Sequence, residues 1–248
     1  MASGALVVLC RIAGAVMVLP GLGEAGMPVR VRAGVAVGLT VLVAPLVMPM
    51  GAIADPAPWQ MMRLVVLETM TGLFIGWLAR LAALALPIAG QFISLLIGLT
   101  SVIQPDPDLG AQTSALARLF SLAAPVLFLS SGLYALPLEA LTASYHLIPI
   151  GAGLPAGDTA QGIIAATGDA FSIGLRLAAP FVLIGTVWQL ALGVLSRFIP
   201  SIQPGAALMP GQVLGGVLLL GILIRPTLEE WASIARSDLS ALLALVHG

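Results

Sequence analysis

Long apolar runs, each almost free of charge, alternate along this chain with short clusters of Gly, Pro, Arg, Asp and Glu. Ala5 to Leu22 is the first run, broken only by Arg11, and a Gly/Pro turn carrying Glu24, Arg30 and Arg32 follows it. Ala33 to Ala54 is free of charge for 22 residues, about 33 Å as a helix, which crosses a ~30 Å hydrocarbon core. Asp55 to Trp59 reads as a loop, with Trp59 placed for an interfacial aromatic belt. Gln60 to Arg80 predicts a third helix containing Glu68, and Leu81 to Pro105 continues it with a bend expected near Arg80 or Pro87.

A polar knot comes next, inside the stretch from Gly90 to Arg118. Pro105 and Pro107 lack an N–H and crowd the preceding turn, so they stop a helix. With Asp106, Asp108 and Gly110 they predict a stiff, acidic loop between two apolar helices. Irregular backbone facing lipid leaves peptide groups without partners, so this loop lies in water or lines a water-filled path. Leu119 to Leu138 is the next run. Glu139 to His146 is a short amphipathic piece, and Asp158 to Asp169 is polar enough for a surface helix or loop. Phe171 to Ser196 is a long helix containing Arg176 and Pro180. A second kinked connection begins at Arg197, Ala206 to Ile224 is the last strong run, and the tail from Arg225 reads as an amphipathic interfacial helix. The pattern therefore predicts an all-α membrane protein of six to seven hydrophobic helices arranged as hairpins.

Composition excludes most alternatives. The chain has 248 residues, 59% hydrophobic and 8% charged, with a mean hydropathy of +1.09; soluble domains carry about 25% charged residues. The lipid bilayer is its expected solvent. All ten basic residues are Arg and the formal charge is −1, so nucleic acid is not an expected partner. Cys10, the one cysteine, reads as a small buried apolar side chain. No basic residue precedes it, and the first segment is expected to stay in the mature protein. The arginines are spread so evenly that the positive-inside count barely orients the chain; a cytoplasmic carboxyl tail is the expectation.

Candidate chemistry is sparse. His146 and His247 are the only histidines, no nucleophile or metal-ligand spacing occurs, and a lysine-free chain has no Gly-Lys-Ser/Thr phosphate cradle. The sequence predicts no enzyme and no cofactor. Charges near or inside apolar runs stand out: Arg11, Arg80, Arg118, Arg176 and Arg197. Each costs about 2.5–3.5 kcal/mol at mid-bilayer, which argues that much of the chain faces protein or water; the alternative is that each snorkels from a helix end. A secondary transporter for a small solute would use Glu68, Arg176 and the Pro-broken helices, but the sequence lacks two matching halves.

Several ordered segments together resemble one family. Arg11 to Pro20, Met27 to Gly34, Ala44-Pro45, Gly90 to Ser94 through Gly98-Leu99, Asp106-Pro107, Leu116 to Leu119, Leu147 to Gly151, Leu177 to Pro180 and Leu192 to Pro200 look like the FliR/SctT family. Two places depart from it: Leu133 stands after Gly132 where the family has His, and Gly205 and Leu208 replace a Phe and a Gly, although Pro210 is kept. The resemblance implies a single-copy subunit of the type III protein export gate of flagella or injectisomes, in the bacterial inner membrane. Its fold would resemble a FliP-like part (1–170) joined to a FliQ-like part (171–248). The implied partners are FliP-type and FliQ-type subunits, the FlhB-type switch subunit, and unfolded secreted proteins; energy would come from elsewhere in the apparatus. A flagellar member is the default expectation.

In that family the loop after the central signature is associated with plugging the closed pore. Carried over, the plug is Ile103, Gln104, Pro105, Asp106, Pro107, Asp108, Leu109 and Gly110 within 102–114. Proline stiffens such a seal, glycine supplies a hinge, and Ile103 and Leu109 would dewet a constriction. The plainer reading of Asp106 and Asp108 is a helix terminus facing water. Arg11, Arg118, Arg176 and Arg197 are the expected assembly or structural charges.

Overall fold

The structure is a computed structural model that describes residues 2–47, 57–99, 103–105, 112–198 and 204–247. Among these, seven helices and one short two-stranded ribbon follow one another: α1 (Ala2–Val18), α2 (Val29–Val47), α3 (Pro58–Ile97), β1 (Ile103–Pro105), β2 (Gln112–Ser114), α4 (Ala115–Ser130), α5 (Ala135–Leu147), α6 (Ala156–Phe198) and α7 (Pro204–His247). Four of the helices are long and apolar enough to cross a membrane, and the pair α4–α5, bent by 68°, makes up to five. Apart from that short ribbon, the elements among the described residues are helical, and the chain is an all-α membrane protein.

Several predicted breaks are absent. α3 runs unbroken for 40 residues through both Arg80 and Pro87. Pro87 removes one ladder bond, but Ala85, Leu86 and Ala89 beside it are fully buried, and that packing holds the helical path. The expected polar piece 158–169 and the helix after it form one 43-residue helix, α6. The last apolar run and the tail likewise form one 44-residue helix, α7, with Pro210 and Pro226 inside it. At 1.5 Å per residue each of these three helices is about 60–66 Å long, twice a hydrocarbon core. One predicted run is split instead: Leu119 to Leu138 breaks after Ser130, where Gly132 adopts a left-handed φ of +75°. Arg30 and Arg32, expected in a turn, lie in the first turns of α2.

Helix starts follow local chemistry. Pro58 takes the first position of α3, where its missing N–H costs nothing. Gln60 reaches back to accept a hydrogen bond from Ala57 N at 3.0 Å, as in a capping box.

Two compact units divide the chain. The first comprises Met1–Ala83, Pro125–Gly168 and Ala235–Gly248, and the second Leu84–Ala124 and Asp169–Ile234. In the first, α1 buries Val8, Ile12, Ala15 and Val16, and α2 buries Ala36, Val43, Ala44 and Val47, together with Leu141 and Tyr145 of α5. Recurrence at three and four residues is the signature of one helix face. α1 meets α3 backbone to backbone: a Cβ on Gly72 would collide with the Arg11 carbonyl, and one on Gly14 would sit 2.6 Å from the Thr69 carbonyl oxygen. Small residues permit this approach, the usual basis of close helix pairs in membranes. In the second unit the far half of α3 is the hub. Gly90 faces Ala117 and Phe120 of α4, Gly174 and Gly185 of α6 face Ile88 and Leu96, and Gly216 of α7 faces Ile97.

Candidate functional site

The polar knot leaves and re-enters the second unit as an antiparallel ribbon. Ile103 pairs with Ser114, Gln104 with Thr113, and Pro105 with Gln112. The sequence pattern predicts a loop here and no strands. A proline at the outer end of such a short ribbon is tolerated, because an edge position needs no N–H. Asp106, Pro107, Asp108, Leu109 and Gly110 lie outside the described residues. The return foot is well defined: Ser114 ends β2 and caps α4, its Oγ accepting from Ala117 N at 3.2 Å. The Ser114 N–H donates to Gln91 Oε1 on α3, also at 3.2 Å.

The departure foot is the C-terminus of α3. Its last carbonyls have no helical partners. Gly98 turns the chain with φ +80°, and Gln212 of α7 donates through Nε2 to Leu96 O at 3.0 Å. Trp188 of α6 in turn donates through Nε1 to Gln212 Oε1 at 3.1 Å. Sequence reasoning missed Gln91, Trp188 and Gln212; the signal was an amide, Gln91 or Gln212, set within an apolar stretch of its helix.

The first unit holds a different polar centre. Arg11 on α1 is fully buried, and Nε donates to Glu68 Oε2 on α3 at 2.6 Å. Its other two nitrogens donate to Ser144 Oγ at 3.1 Å and to Ile148 O at 3.0 Å. The guanidinium carbon lies 3.9 Å from the centre of the Tyr145 ring, a cation–π distance. The second oxygen of Glu68 accepts from Gly151 N at 3.0 Å. Gly151 has φ +84°, and Leu64 would crowd a side chain there. So one arginine ties α1, α3, α5 and the following turn together. Arg11 does not snorkel, and Glu68, which a solute transporter would need free, is engaged at both oxygens.

The remaining predicted arginines differ. Arg118, on α4, is half-buried. Arg176 is exposed and pairs with Glu230 at 3.1 Å. Arg197 is exposed in the last turn of α6. Arg80, half-buried, reaches Glu24 at 3.3 Å, and Arg225 pairs with Glu229 one turn away at 2.8 Å.

Helices twice the depth of a hydrocarbon core, a buried charge cluster and a ribbon tied down at both feet describe a polytopic helical protein whose polar groups hold segments in place. The chain belongs to the bacterial export proteins, family 1, whose model matches residues 2–237. It is similar to flagellar biosynthetic protein FliR of Caulobacter vibrioides, 29% identical over 230 residues that cover 92% of this chain and 90% of the relative. FliR of Escherichia coli is 28% identical over 240 residues, 95% of this chain and 89% of that protein. Yop proteins translocation protein T of Yersinia pestis is 29% identical over 198 residues, 78% and 75% of the two chains.

Proposed function

We propose that this chain is a membrane subunit of a type III protein export apparatus, and that it helps form and plug the pore through which unfolded proteins leave the cytoplasm. The observation that carries the reading is the breadth of the similarity. The family spans residues 2–237, and relatives named for flagellar biosynthesis and for Yop translocation align over most of their length. The FliR proteins of Caulobacter vibrioides and Escherichia coli align over 90% and 89% of their length, against 75% for the Yersinia protein, and a flagellar apparatus in the inner membrane is the favoured setting.

Physical features support the same reading. Exposed Arg176–Glu230 and Arg225–Glu229 pairs on long apolar helices suit a neighbour of protein or water better than lipid. FliP-type and FliQ-type subunits are the proposed neighbours, with an FlhB-type subunit alongside, and the division into a FliP-like part (1–170) and a FliQ-like part (171–248) is part of this proposal. The proposed plug is Ile103 to Gly110, which begins in β1. Arg118, Arg176 and Arg197 are the proposed assembly charges, whereas Arg11 serves within the chain.

Deleting Pro105 to Gly110 in the assembled apparatus is the test. Membranes holding the shortened protein are expected to leak ions while the partners still co-purify. An intact ionic barrier with normal assembly would remove the plug from the account; a chain that purifies alone, with no such partners, would remove the subunit reading altogether.

A further inference from the structure

We propose that two glutamines, Gln212 and Gln91, are the positioning residues that set where the β1–β2 ribbon, Ile103–Pro105 paired with Gln112–Ser114, rests. Gln212 fixes the α3 terminus from which the ribbon departs, and Gln91 fixes Ser114, where it returns. The proposal deepens the plug reading and rests on it for its consequence, though not for its geometry.

The chemistry at each foot is specific. At the departing foot the Leu96 carbonyl belongs to the last turn of α3 and needs a donor. In an apolar surround an unmet carbonyl is costly. Gln212 supplies the donor, and its own carbonyl would be left bare if Trp188 did not donate to it. All three groups are thus partnered only while α3, α6 and α7 keep their places. The helices are shaped for this. Gly216, one turn from Gln212 on the same face, allows α7 to press against Ile97, and Gly185, three residues before Trp188, meets the Leu96 side chain. A cleft of about 250 Å³ lies alongside, lined by Phe181, Ile184, Leu219, Leu96, Trp188 and Gln212. Close packing on that side is therefore incomplete, and directed hydrogen bonds hold the foot.

At the returning foot the logic is simpler. Ser114 N–H lies at the first ribbon pair, opposite Ile103. Gln91 offers it only an acceptor, from an exposed position on α3. Replacing Gln91 therefore removes a tether without opening a core. The two feet make opposite demands, a donor at Gln212 and an acceptor at Gln91, and that asymmetry provides the test.

A spin label at Thr113→Cys, in a Cys10→Ala background and in the assembled apparatus, reads ribbon mobility, and ion leak is measured on the same membranes. Gln91→Leu and Gln212→Leu are expected to raise the mobile population about fivefold, as loss of an ordinary hydrogen bond would. Gln91→Glu keeps the acceptor and is expected to match the parent; Gln212→Glu, read at a pH high enough to ionise it, loses the donor and is expected to behave like Gln212→Leu. Trp188→Phe should loosen the ribbon less. Should a Gln212 variant fail to assemble, the exposed Gln91 series decides alone. Unchanged mobility in Gln91→Leu, or Gln91→Glu behaving like Gln91→Leu, overturns the positioning roles whatever the deletion does. Raised mobility without leak leaves the positioning roles standing and overturns the plug.

Discussion

Two ion pairs of identical chemistry sit in opposite settings. Arg11 and Glu68, in the first unit, are 0% and 1% exposed; Arg176 and Glu230, in the second, are 68% and 43% exposed. The buried pair is fully provided for within the chain: Ser144, Ile148, Gly151 and Tyr145 complete it. The exposed pair lies on two long helices of mainly apolar composition, and the chain offers it little cover. A charge enclosed by its own chain reports on folding. One left open on a membrane-grade helix reports on what stands next to it. Residue type and hydropathy alone cannot separate these cases; burial and partner count can.

The comparison breaks most visibly at Arg11. Arg11→Ala strands Glu68 in a closed interior and is expected to cost about 3–5 kcal/mol, read as a loss of denaturant resistance in micelles. Arg11→Met combined with Glu68→Leu should recover most of that; equal damage from the double change would mean that the pair has no mutual dependence. Next comes Gly72→Ala, which drives a methyl group into the Arg11 carbonyl and should cost about 1–3 kcal/mol. Gly38 on α2 has open space around it, so Gly38→Ala should instead stabilise the isolated chain by about 0.5–1 kcal/mol. The smallest effect is expected at Arg176→Leu, under about 1 kcal/mol for the chain alone. Its real signature should appear in co-purification of partner subunits; unaltered recovery of them would show that this arginine meets only water.

Much of the architecture was legible because apolar runs this long have one use. What escaped was governed by tertiary contact. Pro87 reads as a breaker, yet buried neighbours on either side carry the helix past it. Ser130 to Tyr134 reads as helix, yet Gly132 turns it. Arg11 and Glu68 were each visible as misplaced charges, but they lie 57 positions apart, and nothing local links them. Tyr145 and Gly151 gave no signal at all, since one was a plain aromatic and the other a loop glycine. Gln91 stood in view inside the central signature, and its partner, a backbone N–H, has no letter in the sequence. The knot itself was recognised as special from two prolines and two aspartates, but strand pairing at its base depends on how α3 and α4 bring its ends together.

The Arg11–Glu68 pair also orders events at the ribosome. Synthesis at ~5–20 residues per second separates the emergence of the two by roughly 3–11 s. For that interval α1 carries a lone guanidinium, which hydrocarbon accepts only at ~2.5–3.5 kcal/mol. The newborn first helix is therefore expected to wait at the lipid headgroups or in the insertion machinery until Glu68 of α3 arrives to meet its charge.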